Sequence, residues 1–298
     1  MRVLVAHEVV SGLAVRPCWG PIDGPQAVSE QGLAKQMLPR LPAGSVVLGD
    51  RNFGVFSMAY HAHQAHPCLF RLTAARAGKL NKGLLPSAGT DKKIQWVCSR
   101  EDRRSNPELP PQATVEGRLV AIKALSADGK RQKLYFFTTL DLPPKQILEL
   151  YGYRWNIETD LRSLKREVRL HTLTAKSQAM VDKEVVLGVA AYNLTRAAIN
   201  EAATALNLSP RQFSFSMARD TVRAFLPLFD EARNEAERQQ LGKQMLRIMS
   251  QSLLPRRRKR RPSTPREIWP RPCSFPKRKV STTGKPAKET KVAKKNVA

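Results

Sequence analysis

The segment from Tyr151 to Lys165 carries side chains whose types and spacing could bind a metal ion and phosphate groups. Projected at about 100° per residue, a helix would place five of them on a stripe less than about 90° wide: Tyr151, Arg154, Glu158, Arg162 and Lys165. Glu158 could ligate a hard cation, while Arg154 and Lys165 could bind phosphates on either side of it. Tyr151 could stack on a base or donate a hydrogen bond to a sugar.

The same stripe also has a plain structural interpretation. Arg154 and Glu158 are four residues apart, as are Glu158 and Arg162. Such pairs stabilise the solvent-exposed face of an ordinary helix. Helical geometry alone therefore leaves open whether these residues form a site or a charged surface.

The charge of the whole chain indicates a polyanionic partner. The 298 residues contain 51 Lys and Arg against 25 Asp and Glu, a net charge of +26. The tail 255–298 holds 16 basic and 2 acidic residues, and the preceding residues still hold 35 against 23. Nucleic acid is the polyanion that such a balance favours, although a generally solubilising or ribosome-associated charge excess is the alternative.

Two classes of protein do not fit the sequence. No run of about 18 apolar residues is present, which argues against a membrane span. The four cysteines are widely separated and form no CxxC pair, so neither a zinc ribbon nor a disulfide framework is expected. The sequence indicates a protein of the reducing cytoplasm, associated with the nucleoid if its partner is bacterial DNA.

The elements that must position the stripe can be placed from local patterns. Residues 2–18 predict two strands around a turn at Ser11–Gly12, and Ser29 predicts the N-cap of a helix. Residues 45–49 predict a short buried strand that ends at Asp50. The block 67–142 predicts several strands, and the sequence from Pro144 to residue 254 is helical in pattern. Residues 145–168 predict one long helix or two in line, and the Pro- and Lys/Arg-rich tail 255–298 predicts disorder.

A resemblance to a known family bears on the open question. Tyr-x2-Arg-x3-Glu-x6-Lys, here Tyr151, Arg154, Glu158 and Lys165, is the signature of the insertion-sequence-four family of DDE transposases. Residues 46–54, VVLGDRNFG, resemble the family's strand that ends in its second catalytic aspartate, here Asp50. Phe70-Arg71-Leu72 more weakly resembles a strand that carries a DNA-contacting arginine.

The resemblance implies an α/β fold with an RNase H-like mixed sheet, a β-rich insertion and a helical C-terminal part. It divides the chain into a partial core (1–66), the insertion (67–142), the catalytic and C-terminal helices (143–254) and the basic tail (255–298). It implies that Asp50 and Glu158 are catalytic and hold two Mg²⁺ ions, with Mn²⁺ a possible substitute. DNA contacts are expected from the remaining site residues: Arg71, Tyr151, Arg154, Arg162 and Lys165.

The implied activity is cut-and-paste DNA transposition by phosphodiester cleavage and strand transfer, with transposon ends and target DNA as partners and a possible homodimer in the synaptic complex. The sequence departs from the family at its start. The family's first catalytic aspartate lies on a strand before the hairpin, and Asp23, the only aspartate before Asp50, sits in a Pro/Gly loop typical of a turn.

We therefore expect a first strand to be missing and the chain to be N-terminally truncated, so that it does not cleave DNA alone. A catalytically dead remnant that only binds DNA or inhibits an intact transposase is the alternative. A structural RNA-binding protein with a basic tail is a third interpretation, but it offers no account of the spacing from Tyr151 to Lys165.

Overall fold

An antiparallel hairpin opens the chain in the computed structural model, which describes residues 1–125 and 131–255. Strand β1 (Arg2–His7) pairs with β2 (Ala14–Gly20), and Gly12 supplies a positive φ of 78° in the turn between them. Only glycine adopts that conformation at little cost. The hairpin predicted for residues 2–18 is confirmed.

The predicted helix after Ser29 is also confirmed. Helix α1 (Glu30–Met37) begins where the Ser29 hydroxyl accepts a hydrogen bond from the Gly32 amide, and Glu30 lies in its first turn. Both features favour a helix N-terminus, because the side-chain oxygen satisfies an orphan amide and the carboxylate complements the helix dipole. Leu33, Ala34 and Met37 form its buried face.

Five strands form one mixed sheet in the order β3-β4-β7-β6-β5. Its strands are β3 (Val47–Gly49), β4 (Cys68–Leu72), β5 (Asp91–Val97), β6 (Thr114–Leu125) and β7 (Arg131–Thr138). Strands β3 and β4 are parallel, and the remaining pairs are antiparallel. The sheet therefore runs across the predicted boundary at residue 67, because β3 before it pairs with β4 after it.

Helices cover both faces of this sheet. Helix α2 (Phe56–His63) packs on the face that includes Phe70 and Phe137. Helix α5 (Pro144–Gly152) packs on the opposite face, around Phe136. Successive residues of a strand point to opposite faces, so the apolar run of β7 is the pattern of a central strand that is buried on both sides.

The described chain after β7 is helical, as predicted, and two short helices that were not predicted lie within the block 67–142. The remaining helices are α3 (Ala74–Leu80), α4 (Arg100–Ser105), α6 (Arg154–Arg162), α7 (Gln178–Ala205), α8 (Phe215–Glu231) and α9 (Glu235–Met249). Helices α7, α8 and α9 form a second core with Val5 and Ala14 of the hairpin. The expectation of an α/β protein with a mixed sheet is confirmed, while the predicted disordered tail 255–298 lies almost wholly outside the described residues.

Candidate active site

Asp50 directly follows β3 at the end of the parallel pair. One of its carboxylate oxygens accepts a hydrogen bond from the Asn52 amide at 2.8 Å, and its backbone carbonyl accepts from the Gly54 amide at 3.1 Å. This turn fixes the direction in which the carboxyl group leaves the sheet. A short polar side chain that bonds its own backbone two residues on is the usual device for such a turn.

Neighbouring helices hold the loop that carries Asp50. The Asn52 side-chain amide donates to Glu30 of α1 at 2.7 Å, and Arg76 of α3 donates to the Arg51 carbonyl at 2.7 Å. Gly54 lies so close to β4 that an added Cβ would be 2.1 Å from the Arg71 carbonyl oxygen. The residues that follow Asp50 in the sequence DRNFG are therefore fitted to the backbone of the strand that carries Arg71.

Asp50 and Arg71 lie on neighbouring strands, and Tyr151 is buried at the end of α5. Gly49 of β3 is in register with Phe70 of β4, so Asp50 and Arg71 continue the two strands side by side. The Tyr151 ring is buried at the end of α5 and meets Phe136 edge-on at 4.9 Å between ring centroids.

The pKa of Tyr151 depends on the charged side chains around its hydroxyl group. Burial raises the pKa of Tyr151, the guanidinium groups of Arg154 and Arg71 oppose that rise, and the Asp50 carboxylate adds to it. Such effects require the charges to be close to the phenol. Asp50, Arg71, Tyr151 and Arg154 therefore form one group, although they come from a strand end, a second strand and two helices.

Arg154 links this group to Glu158. Its guanidinium lies 3.4 Å from the Glu158 carboxylate, 5.7 Å from the centre of the Tyr151 ring and 5.1 Å from that of Trp155. The Glu158 side chain is 49% exposed and the Trp155 residue 63% exposed. The site thus presents an accessible carboxylate and an exposed indole beside a largely covered cation.

The other two cations of the predicted stripe lie further along the chain and are exposed. The predicted segment is two helices, because α5 ends at Gly152 and α6 begins at Arg154, and a π-helical turn follows at residues 163–167. A π turn takes more residues per turn than an α-helix. The uniform 100° projection therefore does not hold as far as Lys165, whereas Arg162 still belongs to α6.

The buried side of α6 holds a charged network that the sequence analysis missed. Asp160 has no exposed surface and accepts hydrogen bonds from Arg196 of α7 at 2.5 Å and from Arg211 at 2.6 Å. Arg196 is itself only 3% exposed. The network clamps the helix that carries Glu158 onto α7, and only its burial distinguishes it from a surface ion pair.

The same network reaches the hairpin turn. Arg211 donates to the Val9 carbonyl at 2.8 Å, and the Tyr192 hydroxyl donates to the Gly12 carbonyl at 2.8 Å. Burial raises the pKa of Tyr192 to about 12, so this hydroxyl remains a donor at neutral pH. Burial also lowers the pKa of His7, against the opposing effect of Asp160. The hairpin and the Glu158 helix are therefore positioned together.

A cleft of about 400 Å³ lies between the two sheets, and Arg154 of the candidate site is one of the residues that line it. Its walls include Leu4–Val9 of the hairpin and Val46–Leu48 at β3, and Arg154 and Ile157 line it from α6. Among the described residues, β2 is the only strand that pairs with β1, and β4 is the only strand that pairs with β3. Each sheet therefore presents one unpaired strand edge to this cleft.

The carboxylates of the candidate site are of the type that binds a hard divalent cation, but they are few. Asp50 and Glu158 supply carboxylate oxygens, which Mg²⁺ prefers. Within residues 1–125 and 131–255, no group of three or more His, Cys, Asp or Glu side chains is placed to hold a metal ion. Two carboxylates and the surrounding cations are what the described part of the chain brings to the site.

Comparison with known proteins adds an independent line of information. Residues 16–194 match the profile of the family described as "Transposase DDE domain". The chain is also similar to a protein of Escherichia coli (strain K12) named "Transposase InsG for insertion sequence element IS4", with 24% identity over 290 residues. The alignment covers 93% of this chain and 61% of that relative. The chain spans about three fifths of the relative's length. Since the profile covers more than half of the chain and contains Asp50, Tyr151, Arg154 and Glu158, the chain belongs to the DDE transposase family, among the relatives of the insertion-sequence-four transposase.

Proposed function

We propose that this chain provides the DNA-cleaving and strand-transferring site of an insertion-sequence transposase, with Asp50 and Glu158 as its carboxylates. The observation that supports the proposal most is the group of charges around the buried Tyr151. The register of β3 and β4 sets Asp50 beside Arg71, and the Arg154 guanidinium lies 5.7 Å from the centre of the Tyr151 ring and 3.4 Å from the Glu158 carboxylate. If Arg154 and Glu158 formed only a structural ion pair, the Glu158 carboxylate and the Trp155 indole would not need to be exposed beside Arg71 and Arg154.

In this proposal Asp50 and Glu158 hold Mg²⁺ or Mn²⁺. Bound there, the metal would lower the pKa of an attacking water or DNA hydroxyl and stabilise charge on the leaving oxygen. Glu158 must exchange its contact with Arg154 for the cation, and at 3.4 Å that contact is long enough to be given up at small cost. Arg154 is then free to bind a DNA phosphate.

The cations have separate parts in binding DNA. Arg71 and Arg154 flank the reacting phosphodiester, and their forked donors suit phosphate oxygens. Arg162 and Lys165, both exposed, hold the backbone further along the helix. The Tyr151 hydroxyl, which as a phenol is protonated at neutral pH, orients the sugar or phosphate next to the scissile bond.

We further propose that the two sheets are parts of one RNase H-like sheet. The cleft between β1 and β3 has an unpaired strand edge on each side and an apolar lining. An extended strand between them would satisfy both edges, and its end would lie near Arg154. A carboxylate at that end would give the site its third metal ligand.

A second candidate function is DNA binding without cleavage, as a regulator or an inhibitor of an intact transposase. It is favoured by the same cations, and by the finding that the described residues include no group of three or more His, Cys, Asp or Glu side chains that could hold a metal ion. The two functions differ in what the metal does, so a metal-dependent assay separates them.

Two measurements on the 298-residue chain test the proposal. Mn²⁺ binding, followed by electron paramagnetic resonance, should weaken at least about tenfold in Asp50→Asn and Glu158→Gln, because each change removes a charged ligand. Glu149→Gln is the matched control, since Glu149 is an exposed carboxylate on the neighbouring helix. If neither site variant binds Mn²⁺ less tightly than the control, the proposed metal site is wrong.

The second measurement is nicking of duplex DNA that carries the element's ends, in Mg²⁺. Cleavage by the wild type that is lost in Glu158→Gln supports the enzyme and would overturn the expectation that the chain does not cleave DNA alone. Binding of the DNA by both proteins with no cleavage by either, together with Mn²⁺ binding that is unchanged in the site variants, supports the DNA-binding alternative. Equal cleavage by wild type and Glu158→Gln would remove Glu158 from the reaction.

A further inference from the structure

Helix α7 is packed on one face and bare on the other. Its buried face includes Val185, Val189, Tyr192 and Ile199, which pack into the second core. The opposite face carries large exposed apolar groups, with Leu187 68% exposed and Leu194 47% exposed. A helix of a monomeric protein would usually cover such a stripe or make it polar.

The exposed stripe has an internal symmetry. Along one line of the helix it reads Lys183, Leu187, Ala190, Leu194, Ala197 and Glu201, all exposed. The six positions are symmetric about position 192, so that 183 corresponds to 201, 187 to 197, and 190 to 194. Each corresponding pair joins unlike residues: a leucine to an alanine, or a lysine to a glutamate.

We infer that this stripe is the contact between two copies of the chain, whose α7 helices pack antiparallel about a twofold axis at position 192. In that arrangement each leucine of one copy lies opposite an alanine of its partner, so large groups fill the space that small ones leave. A twofold contact must be self-complementary in this way, because the same patch serves both subunits.

Charge complementarity identifies a second copy as the occupant. Lys183 and Glu201 are 18 residues apart, about 27 Å along the axis, and they stand at opposite ends of the apolar stripe. An antiparallel partner places each lysine opposite a glutamate, whereas a parallel partner would place like charges together. Within the described part of the chain neither Lys183 nor Glu201 forms an ion pair, so both are available for a partner.

The size of the contact sets its strength. A single pair of five-turn helices is at the small end of specific interfaces, which bury about 1,200–2,000 Å² in all. We therefore expect a reversible dimer with a dissociation constant on the order of micromolar. None of the residues in this contact belongs to the proposed site around Asp50 and Glu158. The inference does not depend on the proposed function, and failure of either leaves the other standing.

The test is sedimentation equilibrium of the full 298-residue chain, freed of nucleic acid, over a range of concentrations. The wild type should change from monomer to dimer. Leu194→Glu should abolish the dimer, because it places two carboxylates at the centre of an apolar contact. Lys183→Glu should raise the dissociation constant at least about tenfold, since each copy would then oppose glutamate to glutamate.

The charge exchange Lys183→Glu with Glu201→Lys is the deciding variant. It restores both pairs in an antiparallel dimer and should return the dissociation constant to within about threefold of the wild type. Circular dichroism of each variant checks that the helices are intact, and Lys145→Glu, an exposed lysine on α5, is the matched charge control. A wild type that stays monomeric throughout, or a dimer indifferent to Leu194→Glu and Lys183→Glu, would overturn the inference.

Discussion

Neutralising Asp160 should destabilise the protein far more than neutralising Glu158 on the same helix. Asp160→Asn keeps the shape of the side chain but leaves Arg196, only 3% exposed, without its carboxylate. Removal of one partner from a buried ion pair costs about 3–5 kcal/mol. Because a domain of this kind has a total stability of only about 5–15 kcal/mol, the loss should be easy to measure.

Glu158→Gln is the internal reference. Its ion pair with Arg154 is four residues apart on the helix surface, and the glutamate side chain is 49% exposed. A pair of this kind contributes no more than about 0.5 kcal/mol. Urea denaturation followed by circular dichroism gives both free energies of unfolding. Equal losses in the two variants would refute the assignment of Asp160 as a buried anchor.

A double variant separates buried charge from simple loss of contact. Asp160→Leu combined with Arg196→Met removes both members of the most buried pair and replaces them with apolar groups of similar size. It should recover most of the stability lost in Asp160→Asn, because the almost fully buried Arg196 charge is removed together with Asp160. Arg211, the second partner of Asp160, has a side chain that is 19% exposed and keeps its hydrogen bond to the Val9 carbonyl. If the double variant is no more stable than Asp160→Asn, the loss arises from packing and not from an unpaired arginine.

The remaining predictions concern backbone fit and pH. Gly54→Ala should cost about 1–3 kcal/mol, because its Cβ would lie 2.1 Å from the Arg71 carbonyl oxygen, whereas Gly152→Ala, with nothing within 4 Å of its added Cβ, should cost less than about 0.5 kcal/mol or stabilise. Equal losses on urea denaturation would show that the loop adapts. Burial lowers the pKa of His7 below its usual 6.5 in the folded state, so the unfolded state binds the proton more readily and the free energy of unfolding should fall as the pH decreases below about 6.5. His7→Gln should reduce that slope; an unchanged slope would exclude His7 as its source.

Sequence reasoning succeeded where local pattern decides the structure. The hairpin follows from alternating apolar residues around Gly12, and α1 follows from the cap at Ser29. Asp50 could be placed because a short apolar run ends directly before it. Each of these signals lies within a few residues of the element that it specifies.

It failed where the structure depends on residues far apart in the chain. The register that sets Asp50 beside Arg71 joins two strands through a crossover, and no local pattern encodes it. Of the two alternatives for the segment 145–168, two helices in line is correct, since α5 ends at Gly152 and α6 begins at Arg154. The π turn at residues 163–167 escaped the uniform projection. The structure joins Tyr151, Arg154 and Glu158 by contacts, whereas Lys165 lies within the π turn, where the uniform projection does not apply.

Asp160 shows why the missed residues matter to the site. In the sequence it is one more charge among Glu158, Arg162 and Lys165, and helical projection places it on the far side from Glu158. That far side faces the interior, where Arg196 and Arg211 compensate its charge. In the proposed function Glu158 must stay accessible to a metal ion, so it cannot also anchor its helix, and the position of the helix has to be fixed from its buried side. The buried carboxylate supplies that anchor, and a change at Asp160 should therefore disturb the geometry of Glu158 without touching it.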